Sequence, residues 1–242
     1  MEVCFLLIKP ENPANVGATC RAMKTMGHSD LRLIEPCDYL TLRGRALAHG
    51  SEDILESARL YENFESAVAD CDLVIGTTAR HRKIKLDYIE ADDIMSVVAS
   101  KSSRLSRVCF IFGGERNGLS TEDLFACDLV TTIPTATTFP SLNLSQSVML
   151  FAYLSRTSVS KVQTKDWRIN SADPGEEHFK SLKSKLEMLI DDLGMKDSKR
   201  LKHQVVSAIS KLNSEDLNIV QSLRRRVQDR INNLKTNMNN DN

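Results

Sequence analysis

Val108-Cys109-Phe110-Ile111-Phe112-Gly113-Gly114-Glu115-Arg116-Asn117-Gly118-Leu119 is the stretch on which the fold turns. Its five leading apolar residues form a run short enough to be a buried strand. Three glycines within the next six residues permit positive φ and let backbone approach a ligand closely. The glycine order is not G-x-G-x-x-G and does not sit at the first strand-to-helix turn, so the dinucleotide fingerprint is absent. The Gly-Lys-Ser/Thr ending of a phosphate loop is missing too. Taken alone, the segment fits either a tight turn or a ligand loop.

Outward from this stretch, β-branched apolar runs recur at 3–8, 31–34, 73–75 and 129–133. Helical patterns lie between them at 16–26, 64–69 and 94–99. Strands alternating with helices predict an α/β fold on a mainly parallel sheet, with ligands beyond the carboxyl ends of the strands. This pattern fills residues 1–158. Residues 159–242 form a second region, where the strands stop and the polar stretch 170–175 reads as a linker. Three helical stripes follow: Phe179, Leu182, Leu186, Leu189 and Leu193, capped by Gly194; then Leu201, Val205, Ile209 and Leu212; then Val220, Leu223, Val227, Ile231 and Leu234. Packing among themselves or on the first region is the reading preferred over a coiled-coil dimer contact.

Two further segments pair with the glycine loop. Asn15-Val16-Gly17-Ala18-Thr19-Cys20-Arg21 follows the first strand, and Asn15 is expected to cap the helix that carries Arg21. Phe139-Pro140-Ser141-Leu142-Asn143-Leu144 precedes a helix rich in Leu, Met and Ala, with Ser141 or Asn143 as its cap. A helix N-terminus offers free N–H groups to a carboxylate, a phosphate or a ribose oxygen. Capping alone also accounts for these residue types.

Composition narrows the classes. The 242 residues contain no apolar run near the roughly 18 that a spanning helix needs. The amino terminus lacks the pattern of a signal peptide, so a cytoplasmic protein is expected. Cys4, Cys20, Cys37, Cys71, Cys109 and Cys127 are scattered singly, without C-x-x-C spacing. They are read as small buried hydrophobes; no metal site and no nucleophile is expected among them.

In this order and spacing, the three segments resemble the motifs of the SpoU (TrmH-like) branch of the SPOUT RNA methyltransferases, with closer resemblance to its TrmJ and LasT group. The strings Arg21-Ala22-Met23-Lys24-Thr25-Met26-Gly27, Ala48-His49-Gly50-Ser51 and Gly76-Thr77-Thr78-Ala79-Arg80 look like that group as well. The likeness covers about residues 3–157, and the tail matches as a helical extension of similar length. The resemblance implies a C-terminal trefoil knot between about Ile111 and Leu154 that binds S-adenosylmethionine. Thr77, Thr78, Ala79, Gly113, Gly118, Ile133, Ser141 and Leu142 would line the cofactor pocket. It implies 2'-O-ribose methylation of RNA, tRNA in its anticodon-loop region favoured over rRNA, by a homodimer whose sites use both subunits. The catalytic positions would be Arg21, Asn15, Glu115, Ser141 and Asn143. A guanidinium keeps its proton at neutral pH. Arg21 is therefore expected to stabilise the developing alkoxide and clamp a phosphate, with the proton acceptor left open.

Two rivals have distinguishing features. An RNA-binding paralogue without catalysis would not need Asn15, Arg21, Glu115, Ser141 and Asn143 intact, and an oxidoreductase would need the glycine fingerprint that is broken here. Isolated His49 and His81 are read as ordinary surface or packing residues, while Trp167 fits either base stacking or packing. The net charge of zero hides an asymmetry: residues 1–158 carry 16 Lys+Arg against 20 Asp+Glu, and residues 159–242 carry 16 against 12. RNA affinity is thus expected from the basic string at 80–85 and from Arg224, Arg225, Arg226 and Arg230.

Overall fold

The computed structural model describes residues 1–79, 86–101, 104–136, 141–165, 179–195 and 199–240, with side chains at 157–165 and 233–240 left aside. The basic string at 80–85, Trp167, the linker at 170–175 and Phe139-Pro140 therefore lie outside the described residues.

The central strands are β1 (Glu2–Ile8), β2 (Asp30–Ile34), β4 (Leu73–Thr77), β6 (Arg107–Gly113) and β7 (Leu129–Thr132). Two three-residue strands, β3 (Arg59–Tyr61) and β5 (Tyr88–Glu90), complete a seven-stranded sheet in the order β3-β2-β1-β6-β4-β7-β5, parallel throughout. Both short strands sit at the edges, where no long apolar run is required. The carboxyl ends of β6, β4 and β7 are neighbours, so the loops that follow them meet at one rim.

Both faces of the sheet are covered, which explains why the inner strands read as unbroken apolar runs. Side chains alternate across the pleat. Val3, Phe5 and Leu7 join Val108, Phe110 and Phe112 on one face, whereas Cys4, Leu6 and Ile8 join Cys109 and Ile111 on the other. The first face packs on α1 (Pro13–Thr25), α3 (Glu52–Glu56), α5 (Ala91–Ala99) and α7 (Leu144–Lys165), and the second on α4 (Phe64–Val68) and α6 (Thr121–Ala126). The helix α2 (Leu42–Leu47) lies against α1. Gly17 of α1 makes that approach feasible, because a Cβ there would stand 2.0 Å from the Gly44 carbonyl oxygen.

The tail folds as α8 (Phe179–Asp192), α9 (Lys199–Ser210) and α10 (Ser214–Asn240). Phe179, Leu182 and Leu186 of α8, Ile209 of α9 and Leu217 of α10 belong to the same apolar cluster as the first face of the sheet. Lys183 of α8 reaches the buried Asp128 carboxylate at 2.9 Å, and Asp128 also accepts the Val74 N–H of β4 at 2.9 Å. The helical stripes need correction. Leu193 is exposed, because α8 ends at Asp192 and Gly194 turns the chain at φ +80°. Val206 rather than Val205 is buried, and α10 buries Leu217 and Gln221 while Leu223 faces outward. In α8 the stripe holds through Phe179, Leu182, Leu186 and Leu189, and Ile209, Leu212 and Val220 also meet the core; the other two stripes miss Val206 and Leu217, which lie one and three residues from members of those stripes.

The cysteines are largely the small buried groups expected, except that Cys37 is half-buried. Three of them converge. Cys4 on β1, Cys109 on β6 and Cys71 between α4 and β4 bring their sulfurs within 4.8 Å of one another. Burial holds the Cys109 thiol well above its ordinary range. Cys71 is held below it, first by the hydrogen bonds from Cys109 and Cys4 and then by the charge of Arg32.

Candidate active site

The rim above β4, β6 and β7 encloses a cavity of about 370 Å³, within the range of small-molecule sites. From β4 and the turn after it come Thr77, Thr78 and Ala79; from β6 and its loop, Gly113, Glu115 and Gly118; from beyond β7, Ile133; and from the approach to α7, Ser141 and Leu142. The eight residues expected around a cofactor thus line one cavity. Backbone bonds fix its walls, since Thr77 donates its hydroxyl to the Ile111 carbonyl at 2.8 Å and the Thr78 N–H reaches the Thr131 carbonyl at 3.0 Å.

The loop after β6 closes on itself. Gly118 donates its N–H to the Gly114 carbonyl at 2.8 Å and has φ +65°. A Cβ on Gly113 would lie 2.0 Å from the Gly118 carbonyl carbon, so only glycine fits there. These glycines shape the wall as well as turning the chain.

Glu115 projects from this loop toward the start of α1. Its carboxylate accepts the Glu11 N–H at 2.7 Å, the Asn12 N–H at 3.2 Å and the Asn15 carboxamide N–H at 2.8 Å. A helix N-terminus stabilises a carboxylate placed there. Asn15 is not the cap of α1: Asn12 is, accepting the Ala14 N–H at 3.0 Å, with Pro13 at the first helical position. Asn15 lies inside the first turn, buried, and turns its side chain inward. Its oxygen accepts the carboxamide N–H of Asn143 at 2.9 Å. Asn143 in turn accepts the Ser145 N–H at 2.9 Å and the Ser145 hydroxyl at 2.7 Å, so Asn143 rather than Ser141 caps α7. A continuous chain, Asn143–Asn15–Glu115, therefore links all three sequence segments; Glu115 lines the cavity, whereas Asn15 and Asn143 do not.

Arg21 stands apart. It is exposed on α1 and does not line the cavity. The helix carries it away from Asn15, as 100° per residue requires. Cys37, near Glu115, has its thiol pushed up first by burial and then by the Glu115 carboxylate. The wall also includes Phe112, Arg116, Asn117, Thr131, Leu144, Ser147 and Phe151, none of which was assigned a site role from the sequence. Arg116 pairs with Glu11, Nε to Oε2 at 3.0 Å. Its position inside the glycine loop was the available signal.

Residues 2–153 match the model of the SpoU rRNA methylase family. The chain belongs to that family. Among curated SpoU relatives, the uncharacterized tRNA/rRNA methyltransferase LasT of Escherichia coli (strain K12) is 30% identical over 223 residues, covering 92% of this chain and 96% of LasT. The tRNA (cytidine/uridine/adenosine-2'-O-)-methyltransferase TrmJ of Pseudomonas aeruginosa (strain UCBPP-PA14) is 29% identical, covering 90% of each chain. A solved structure, a probable methylase family protein from Haemophilus influenzae Rd KW20, superposes with a TM-score of 0.65 at 30% identity, over 95% of this chain and 97% of that one. The alignments with LasT and the solved structure cover 92% and 95% of this SpoU methylase, so the likeness extends beyond residues 2–153 into the tail.

Proposed function

We propose that this chain transfers a methyl group from S-adenosylmethionine to a ribose 2'-hydroxyl of tRNA. The observation that carries the reading is the Asn143–Asn15–Glu115 chain, which joins the three motif segments beside a cavity of suitable size. The residues present suit the cofactor: a glycine loop whose Gly113 leaves no room for a Cβ against the Gly118 backbone, hydroxyls at Thr77, Thr78 and Ser141, and apolar surface from Ile133 and Leu142. Bound there, S-adenosylmethionine supplies the methyl group from its sulfonium.

The chain's own residues supply positioning and charge. A ribose hydroxyl is a weak nucleophile at neutral pH, so it must be oriented and its developing charge stabilised. Asn15 holds the Glu115 carboxylate and the Asn143 carboxamide in one arrangement, and Ser141 faces the same cavity. Arg21, exposed on the helix that begins with this network, is free to approach an RNA phosphate and the alkoxide. Its absence from the cavity wall fits a site completed across a homodimer. Leu150 and Tyr153, 40% and 53% exposed on α7 beside α1, supply apolar surface for that contact. The trefoil knot belongs to this reading, with residues 137–140 of its span outside the described ones.

No helix among the described residues is long and apolar enough to cross a membrane, which suits a cytoplasmic enzyme acting on tRNA. The direct test is transfer of tritium from methyl-labelled S-adenosylmethionine into bulk tRNA and, separately, ribosomal RNA. Label in tRNA as a 2'-O-methylribose is expected. Label confined to ribosomal RNA would move the substrate, and label in neither would leave an RNA-binding relative without catalysis.

A further inference from the structure

At the opposite end of the strands from the cofactor cavity lies the cysteine cluster. Cys109 is four residues before Gly113 on β6, roughly 13 Å away at about 3.3 Å per residue. Cys4 and Cys109 are register partners on β1 and β6, so their side chains emerge together on the same face. Cys71 closes the group from the junction that feeds β4, with Cys71 Sγ 3.7 Å from Cys4 Sγ. All three are at most 2% exposed.

We propose that Cys4, Cys71 and Cys109 form a three-thiolate site for a thiophilic closed-shell metal ion, zinc(II) or copper(I). Metal–sulfur bonds of about 2.3 Å place ligand sulfurs about 3.8 to 4.0 Å apart. Cys4 Sγ and Cys71 Sγ already stand at 3.7 Å, and all three sulfurs lie within 4.8 Å of one another. Soft thiolates select such ions over magnesium or calcium, which prefer oxygen.

One buried cation borders the cluster. Arg32 is completely buried, and its Nη1 lies 3.6 Å from Cys71 Sγ. Its guanidinium is held by Asp70 and Asp30, at 3.0 Å from Nη2 in each case. An N–H directed at a ligand sulfur, itself fixed by carboxylates, is the outer-shell arrangement that orients metal thiolates. Three thiolates carry a net charge of −1 with zinc(II) and −2 with copper(I); Arg32 stands beside that charge, with its own already paired with Asp30 and Asp70. Binding releases the thiol protons to solvent. A bound ion would join β1, β6 and β4, three adjacent strands at the centre of the sheet.

The test uses the full-length chain, reduced and held without oxygen. Zinc(II) is titrated against a chromophoric chelator, and copper(I) separately against a copper(I) chelator. One equivalent of at least one ion should be retained by the wild type and by Cys127→Ala, a buried cysteine outside the cluster, and lost in Cys109→Ala and Cys71→Ala. X-ray absorption of the loaded wild type should show a shell of three sulfurs, with a fourth light ligand if the ion is zinc and none if it is copper. This second measurement does not depend on the variants folding. Retention of neither ion, equal retention by the cluster variants, a shell with fewer than three sulfurs, or a Cys4–Cys71 disulfide in place of bound metal would overturn the proposal.

Discussion

Asn143 and Asn15 share a hydrogen bond of 2.9 Å across 128 residues of sequence, fastening the start of α7 to the first turn of α1. Asn15→Ala removes the link in both directions and leaves Glu115 with only backbone donors. A displacement of about 1 Å in a positioned group costs on the order of 10²-fold in rate. Single-turnover methylation by Asn15→Ala should slow by about that factor, with cofactor affinity, read by calorimetry, changed far less. Equal loss of both would make Asn15 a cofactor residue instead.

Arg21 is exposed and off the cavity wall, so its two proposed roles concern RNA and the reacting oxygen. Arg21→Ala should lower turnover by about 10² to 10³-fold, the scale of losing one oxyanion donor, with S-adenosylmethionine binding intact. Near-normal turnover would remove Arg21 from the reaction.

Gly113 and Gly118 separate steric from conformational demands. Gly113→Ala meets the Gly118 backbone at 2.0 Å, whereas Gly118→Ala meets nothing within 4 Å but sits at positive φ. Gly113→Ala should abolish cofactor binding and destabilise by about 1–3 kcal/mol, while Gly118→Ala should cost about 1 kcal/mol and keep measurable binding. Thermal unfolding alongside calorimetry checks both; the reverse order would mean the loop closes differently.

Lys101 is fully buried, donates to the Val97 carbonyl at 3.1 Å, and is held down to about 8 by desolvation. Its folded value lies below the unfolded one of about 10.4. Between those values the unfolded chain binds more protons, so this group's contribution to stability rises with pH from about 8 to 10.4 and is most unfavourable below 8. Lys101→Met should therefore stabilise at pH 7 by on the order of 2 kcal/mol, with the advantage shrinking by pH 10. Urea denaturation at the two values measures it, and an advantage independent of pH would assign the gain to packing.

Arg225, Arg226 and Arg230 are exposed on α10. If they contact phosphates, replacing all three by Ala should weaken tRNA binding and flatten the plot of log affinity against log salt by up to about 3. An unchanged slope would confine phosphate contact to other surfaces.

Central strands were legible because burial on both faces writes them as apolar runs, and the cavity residues were legible only through the family resemblance that the glycine loop and its two companion segments carry; taken alone, the glycines left a tight turn equally open. Strands β3 and β5 were not: Arg59–Tyr61 and Tyr88–Glu90 are edge segments, too short and too polar to leave a pattern. Asn15 was misplaced as a cap because Asn12-Pro13 and Asn15 offer the same residue type three positions apart, and only the partner Glu115, a hundred residues on, distinguishes them. The cysteine cluster was invisible for the same reason, since its three members come from β1, the approach to β4, and β6. Local spacing rules detect metal ligands on one turn, not on three strands.

The seating of Phe179, Leu182 and Leu186 in the main apolar cluster bears on how this chain can vary. A tail so anchored is not a detachable accessory. Substitutions in α8 disturb the same core as those in β1 or β6, whereas the outward face of α10, with Ile219 and Leu223 in the open, can change without disturbing that core.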